Sequence, residues 1–379
     1  MTDAERQQLL RLADWKPPHG LISAYFDVER GDRGGGWRLA LKDRVKDLRG
    51  PDDHEGRLAF RETADRILER FDGDNEPPPG LAQVGFVEVA RNDGAEDWSS
   101  LQIPLRETVV EYGRRPALRP LVGLLERGRA RPVIAVSSER VRGWIWSRGR
   151  LAVEKGWGDE LAIFDGRERK GARPQDPARG GAVSSSGHDQ YGQKLEENRK
   201  RFLHAVARRM SEDRRLVGAE LIAIGEAPYL SEFADAVAPG VQVQRLEGPD
   251  VIGEPDAAIL ERVGPEIESL TAKREAGLAG AAVDAAMASG GHGTVGADET
   301  SAALAEGRVD RLVLDCARPF RAEELSASAR DAAEDDGHLD GAELMIELAL
   351  RTSADVTLVA GEVSETLDEH GGAAALLRY

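Results

Sequence analysis

Short apolar runs of strand length alternate with stretches of helical periodicity along this 379-residue chain. The clearest runs are LISAYFDV (21–28), AELIAIGE (219–226), VDRLVLD (309–315) and DVTLVAG (355–361). Apolar runs of this length, bounded by helical patterns, are typical of buried strands. Strands that alternate with helices predict α/β sheets. The chain is also longer than one ordinary hydrophobic core supports, so more than one domain is expected.

Three consecutive α/β domains are predicted, at 1–128, 129–250 and 251–379. The first combines two strands, 21–28 and 81–90, with three helices, which are predicted at 37–48, 57–71 and 120–128. The second opens on PVIAVSSERVRGWIWSRGRLAVEKGW (132–157), which predicts three strands in a meander. The third follows the linker-like LEGPDVIGEPD and begins with a long helix that ends near residue 288.

A polar stretch without apolar periodicity lies in the second domain at 165–193. Gly, Pro, Arg and Ser dominate it, and it is longer than the connections that compact domains normally use. A helix is predicted to follow over 194–210, since Leu195, Phe202, Val206 and Met210 recur on one helical face. The stretch therefore predicts an exposed loop that is either functional or disordered.

Charge is unevenly distributed along the chain, whose formal net charge is −17. Residues 114–150 contain ten arginines and two acidic residues, whereas 247–379 contain 28 acidic and 10 basic residues. The overall acidity argues against non-specific coating of nucleic acid, and no DNA partner is expected. A basic segment inside an acidic chain nevertheless predicts a polyanionic partner for that segment.

Several function classes are excluded by simple counts. Cys316 is the single cysteine, so neither a disulfide framework nor a cysteine-based zinc site is expected. The seven histidines show no metal-ligand spacing, and no Walker motif occurs. No apolar run reaches 18 residues, and the polar N-terminus does not resemble a signal peptide. These observations predict a cytoplasmic protein without cofactor, metal or membrane partner.

Two motifs in the third domain resemble a known family. TLVAGEVSETLDEHGGAAALLRY (357–379) and TVGADETSAALAEGRVDRLVLD (294–315) resemble the last domain of the archaeo-eukaryotic class-one peptide release factors and of Pelota. The order of meander, loop, basic helix and strand over 132–226 is similar to that family's second domain. The resemblance covers most of 130–379 and favours the bacterial branch of the superfamily, to which the hibernation factor Balon belongs.

This resemblance implies a fold and a setting. It implies a middle domain with a mixed sheet and an exposed loop, and a C-terminal α/β/α sandwich. It also implies binding to the ribosomal A site, with ribosomal RNA, tRNA and a translational GTPase as partners. Residues 1–125 match the family by position only and lack the Asn-Ile-Lys-Ser loop that reads stop codons. Ribosome rescue or hibernation is therefore expected, without stop-codon decoding.

The middle-domain loop of release factors carries a Gly-Gly-Gln tripeptide that helps water attack the peptidyl-tRNA ester. The nearest match here is GHDQ (187–190), because alanine follows the glycine pair at 180–181. Gly187 and Gln190 are therefore candidate catalytic residues. Two alternatives stay open: the loop binds in the peptidyl-transferase centre without hydrolysis, or it is a flexible loop in which Asp189 caps the helix. The broken tripeptide favours a non-catalytic function.

Basic residues of the loop and of the helix after it are candidate RNA-phosphate contacts. They are Arg167, Arg169, Lys170, Arg173, Arg179, Arg199, Lys200, Arg201, Arg208 and Arg209. The alternative is a solvated helix face. Trp144 and Trp146 point to one side of a strand, where packing is favoured over stacking on RNA bases.

Three functions are consistent with these patterns. The first is a ribosome-binding factor of rescue or hibernation. The second is a peptidyl-tRNA hydrolase that uses Gln190. The third is an RNA-binding stress protein that acts off the ribosome through its third domain alone.

Overall fold

The computed structural model describes residues 1–28, 35–72, 78–105, 107–161, 186–332 and 340–379, and for 72 and 186–192 the main chain alone. The chain divides into two compact units. The middle unit is Ala130–Pro265, and the composite unit joins Met1–Arg129 to Glu266–Tyr379. Three sheets, one from each predicted domain, confirm the α/β class. The domain limits 1–128, 129–250 and 251–379 stay a prediction.

The N-terminal part of the composite unit is built on an antiparallel sheet in the order β3-β2-β1-β4. Its elements are α1 (Asp3–Ala13), β1 (Leu21–Asp27), α2 (Gly36–Asp47), α3 (His54–Asp72), β2 (Ala82–Glu88), β3 (Glu96–Leu101), β4 (Val109–Gly113) and α4 (Arg119–Arg127). Side chains alternate across β1. Ile22 and Phe26 pack against α2 and α3, whereas Leu21 and Tyr25 enter the opposite core.

The sequence prediction missed two strands of this sheet, β3 and β4. EDWSSL of β3 is polar and mostly exposed, because β3 lies at the edge of the sheet. Trp98 of β3 covers Gly85 of β2, where a Cβ atom would lie 2.2 Å from the indole ring. Gly85 is therefore needed for the tryptophan to close this side of the sheet.

The middle unit contains a five-stranded mixed sheet in the order β7-β6-β5-β8-β9. Its elements are β5 (Arg131–Val136), β6 (Arg140–Ser147), β7 (Arg150–Glu160), α5 (Ser186–Ser211), β8 (Glu220–Gly225), α6 (Ala227–Ala236) and β9 (Gln242–Glu247). The predicted meander is confirmed, since β5, β6 and β7 pair antiparallel. The mixed sheet is also confirmed, because β8 runs parallel to both β5 and β9.

Helix α5 covers one face of this sheet. Leu203, Val206, Ala207 and Met210 are fully buried against β5, β8 and α6. The predicted apolar face is thus confirmed at Val206 and Met210, although the sequence prediction missed Leu203.

The start of α5 differs from the sequence prediction. The helix begins at Ser186, so 186–193, which we expected to lie in the exposed loop 165–193, are helical. Gly187 is a poor helix former and weakens the helical pattern, which explains the later predicted start at Lys194. Asp189 is the fourth residue of the helix and does not occupy the position before its first turn. The predicted loop residues 165–185 lie outside the described residues.

The C-terminal part of the composite unit is the predicted α/β/α sandwich. Its elements are α7 (Asp256–Met287, whose first turns belong to the middle unit), β10 (Gly293–Val295), α8 (Ala297–Ala305), β11 (Val309–Asp315), α9 (Ala327–Ala332), α10 (Gly341–Arg351), β12 (Asp355–Val359), α11 (Glu362–Asp368) and β13 (Ala373–Leu377). The sheet order is β10-β13-β11-β12. Leu312 and Leu314 face α8 and α10, whereas Val313 faces α7 and α11.

One continuous core joins the two sheets of the composite unit. Tyr25 and Phe86 of the N-terminal sheet belong to the same buried cluster as Leu312 and Leu358 of the C-terminal sheet. Helix α10 is buried along ten of its eleven residues, and its apolar side chains belong to this cluster. The two sheets therefore form one compact body. Among the described residues, no helix is both long and apolar enough to cross a membrane.

Candidate functional site

The predicted catalytic residues Gly187 and Gln190 both lie in the first turns of α5, where the structure describes the main chain alone. A glycine inside a helix does not use its special conformational freedom. Five predicted phosphate contacts, Arg167, Arg169, Lys170, Arg173 and Arg179, lie outside the described residues. The other five lie on α5, in the part of the helix whose side chains the structure describes.

Four of these five predicted phosphate contacts form ion pairs within the described part of the chain. Their partners and N···O distances are Glu139 for Arg199 (3.0 Å), Glu232 for Lys200 (3.0 Å), Glu197 for Arg201 (2.5 Å) and Asp159 for Arg209 (2.9 Å). Arg208 is exposed and has no ion pair within the described part of the chain. The helix is therefore basic in sequence but largely neutralised in the fold.

Most of the partner carboxylates come from other elements of the middle unit. Glu139 precedes β6, Asp159 lies near the end of β7, and Glu232 lies on α6. The ion pairs thus hold α5 against the sheet and its neighbouring helix. Exposed pairs of this kind contribute only about 0–1 kcal/mol to stability. A phosphate group that forms stronger charge-assisted hydrogen bonds can therefore compete with them.

Glu232 is shared by two side chains of α5. The His204 ring contacts one carboxylate oxygen, and the Lys200 ammonium lies 3.0 Å from the other. Desolvation acts to raise the pKa of Glu232, but the hydrogen bonds from Lys200 and His204 outweigh it and hold this pKa below 4.5. Glu232 therefore contacts both side chains through its two carboxylate oxygens.

The arginine-rich segment 114–150 is also paired within the fold. Within the described residues, its arginines contact carboxylates in the pairs Arg115–Glu347, Arg119–Asp340, Arg131–Glu220, Arg140–Asp250 and Arg142–Asp256. Four of those carboxylates lie far along the sequence, in the acidic segment 247–379. Charge segregation in the sequence thus reflects internal pairing as well as any external partner.

The tryptophans of the meander have a packing function. Trp144 and Trp146 are buried, which excludes them as open platforms for RNA bases. The Trp144 ring nitrogen donates to Asp256 at 3.3 Å, and the Arg142 guanidinium lies 4.7 Å from the Trp144 ring centroid. Packing was the interpretation that the sequence favoured.

A second cluster of ionisable groups, in the composite unit, was missed by the sequence prediction. The Glu343 carboxylate on α10 accepts hydrogen bonds from the backbone N–H groups of Leu118 and Arg119, which open helix α4, at 2.8 and 2.9 Å. Glu347, one turn further along α10, pairs with the buried Arg115. A polar cleft of about 100 Å³ adjoins the Glu343 carboxylate.

Burial has a large effect on this carboxyl group. Desolvation raises the pKa of Glu343 to about 7, although the two N–H donors and Arg119 act to lower it, and Glu111 raises it further. Glu111 also lines this cleft, and desolvation raises its pKa as well. Nothing in the local sequence marks Glu343, because its partners lie more than 200 residues away.

The described residues show no metal-binding site. They contain no group of three or more His, Cys, Asp or Glu side chains arranged to hold an ion.

The fold and the paired basic helix define a three-sheet α/β protein with a mixed middle sheet. No family model and no curated protein matches the chain. Among solved structures it is similar to the archaeal translation termination factor aRF1, at 19% identity over 100% of this chain and 99% of that one, with a TM-score of 0.25. At TM-scores below 0.5, a likeness assigns no function to any residue of this chain.

Two further solved structures show a similar degree of likeness. Ribosome-bound archaeal Pelota, in a complex with ABCE1, is 16% identical over 100% of this chain and 94% of that one, with a TM-score of 0.41. Dom34 of S. cerevisiae, described as a translation termination-like factor that interacts with Hbs1, is 9% identical over 79% of each chain, with a TM-score of 0.41.

Proposed function

We propose that the chain is a release-factor-like translation factor that binds the ribosomal A site in rescue or hibernation, without stop-codon decoding. The observation that carries this proposal is that the two C-terminal motifs fold into the same sheet. Residues 294–315 contribute β11 and most of β10, and 357–379 contribute β13 and most of β12. Strand β13 pairs with both β10 and β11, so the two motifs build one sheet together. The family-like residues thus form one folded element and are not scattered matches.

The middle unit supplies the surface for RNA in this proposal. Helix α5 carries Arg208 without an ion pair in the described chain, together with four cations whose surface ion pairs are weak. The predicted basic loop 165–185 precedes the helix in sequence. The acidic C-terminal part, which contains most of the excess negative charge, is proposed to face a protein partner such as a translational GTPase. The bacterial branch of the superfamily is proposed on the sequence motifs alone.

Peptidyl-tRNA hydrolysis by Gln190 is the alternative function. The helical setting of Gly187 and Gln190 argues against it, because the release-factor chemistry depends on glycine conformations that a helix does not use. Peptide release from peptidyl-tRNA, measured with wild type and Gln190→Ala, separates the two functions. We expect no release with either protein, and release that depends on Gln190 would replace binding with hydrolysis as the function.

Sedimentation with ribosomes across a salt series tests the binding function. We expect co-sedimentation at low salt and a loss of binding as salt displaces phosphate contacts. Arg208→Gln should weaken binding and lower the slope of log K against log salt by about 1. Arg308→Gln, which removes a partly exposed arginine paired with Glu306 from the composite unit, is the control and should leave the slope unchanged. Wild-type protein that fails to sediment even at the lowest salt would contradict the proposal.

A further inference from the structure

The turn between β6 and β7 places an arginine in an unfavourable backbone conformation. Ser147 pairs with Arg150, so Arg148 and Gly149 form a two-residue hairpin loop. Both have positive φ, +49° at Arg148 and +75° at Gly149. Two-residue hairpin loops of type I′ have positive φ at both positions, and Asn-Gly or Gly-Gly provides it at the lowest cost. An arginine there is strained because its Cβ disfavours left-handed φ.

Charge is concentrated at the same turn. Arg131, Arg140 and Arg142 of the neighbouring strands are all paired with carboxylates. Arg148 and Arg150 are both exposed, and Arg150 has no ion pair in the described chain. The turn itself offers no apolar anchor of the kind that protein interfaces use at their centres. Exposed guanidinium groups without an apolar anchor favour phosphate as the partner.

The ribbon that carries the turn is held firmly. Trp144 of β6 and Trp157 of β7 are buried, and a Cβ atom at Gly143 would lie 2.6 Å from the Cβ atom of Trp157. The turn lies at the opposite end of the hairpin from the Arg140–Glu160 pair, roughly 25 Å away at the usual rise per strand residue. The two arginines therefore project from a fixed support, apart from the helix α5 cations that pair near Glu139 and Asp159.

We propose that the Arg148–Arg150 turn is a second contact site for RNA phosphates on the middle unit. Strained residues gather at sites where a side chain must be presented to a ligand, and an exposed arginine that occupies a position suited to asparagine fits this pattern. The contact is with the sugar-phosphate backbone, so it contributes affinity and orientation without base specificity. The inference rests on the proposed function for its biological setting, but the chemistry requires only an RNA backbone.

The test uses Arg148→Asn, Arg150→Gln and the double variant in the full-length chain. Asparagine accepts positive φ, so Arg148→Asn should relieve strain and raise the Tm of the middle unit by roughly 2–4 °C. The same change should weaken ribosome binding about tenfold at 0.1 M salt and lower the salt slope by about 1, as expected for one lost phosphate contact. Lys155→Gln on β7, an exposed cation about 17 Å along the strand, is the control and should change neither quantity.

A second arm measures binding to protein-free ribosomal RNA. If wild type binds both ribosomes and free RNA, and all three turn variants bind them equally well, the inference is overturned. The proposed function then still stands. Wild-type protein that binds free RNA through the turn but does not sediment with ribosomes would refute the proposed function alone. Variants that lose ribosome binding yet keep full affinity for free RNA would identify an acidic protein as the partner and overturn the RNA contact. No RNA binding in either arm would refute both proposals.

Discussion

Replacing Glu343 with glutamine is expected to remove a pH dependence from the stability of the composite unit. The Glu343 carboxyl lies between α10 and the start of α4, where it faces Arg119, Asp340, Glu111 and the Tyr25 hydroxyl. Burial raises its pKa to about 7, from an ordinary glutamate value of 4.5. The folded chain therefore holds a proton on this group at pH 5–6 that the unfolded chain has already lost.

The sign and the size follow from this difference. Because the unfolded state binds fewer protons between pH 4.5 and 7, the free energy of unfolding falls as pH rises through this range. A shift from 4.5 to about 7 corresponds to about 3 kcal/mol at 1.36 kcal/mol per pKa unit. The contribution is fully present below pH 4.5 and is lost by about pH 8. Glutamine cannot ionise, so the variant lacks this dependence.

Hydrogen exchange of the segment 115–127, which includes the two N–H donors to Glu343, measures this change in stability locally. The exchange rates of wild type and Glu343→Gln are compared at the same pH, so the intrinsic pH dependence of exchange cancels. Relative to the variant, wild-type protection should fall roughly a hundredfold from pH 5 to pH 8, which corresponds to about 3 kcal/mol. Glu365→Gln on the exposed face of α11 is the matched control and should follow wild type at every pH.

The opposite slope would refute this reasoning. If wild-type protection rises with pH relative to the variant, the two N–H donors of Leu118 and Arg119 and the start of α4 stabilise the ionised carboxylate more than burial destabilises it. Parallel curves would mean that the proton affinity of Glu343 does not change on folding.

Two further predictions concern packing. Gly225→Ala should destabilise the middle unit by about 1–3 kcal/mol in urea unfolding, because the new Cβ would lie 2.1 Å from the carbonyl oxygen of Val136. Gly240→Ala, which meets open space, is the control. Arg115→Met should destabilise the composite unit by about 1–3 kcal/mol, since the buried Glu347 then keeps only its pair with Arg351, and adding Glu347→Met should recover most of that loss. A double variant as unstable as the sum of the two single changes would contradict this.

The core elements could be predicted from sequence because their patterns are local. The runs that became β1, β5, β8, β11 and β12 are apolar over a strand length, and burial on both faces requires this composition. The polar edge strands β3 and β9 were missed for the converse reason. QVQRLE of β9 is polar because one of its sides has no neighbouring strand, and no strand was predicted there. Strand existence at an edge depends on the partner more than on local sequence.

The candidate site shows a similar limit. The sequence identifies α5 as basic, but it does not show that Glu139 lies 60 residues from Arg199 along the chain and 3.0 Å from it in the fold. Glu343 likewise appears in the sequence as an ordinary helix residue. Ionic partners brought together by folding determine whether a charged residue is free, paired or perturbed, and they leave no local pattern.

This internal pairing determines what RNA binding by α5 would cost. A phosphate that takes Arg199 or Lys200 must release Glu139 or Glu232, and the released carboxylate stays close to the bound phosphate and repels it. The paired cations should therefore contribute less to affinity than Arg208 does. If the pairs persist on the ribosome, Arg199→Gln with Lys200→Gln leaves the salt slope of binding unchanged. If phosphates displace the carboxylates, the same double change lowers the slope by about 2. The slope thus distinguishes a helix that docks as a neutralised scaffold from one that exchanges internal ion pairs for RNA.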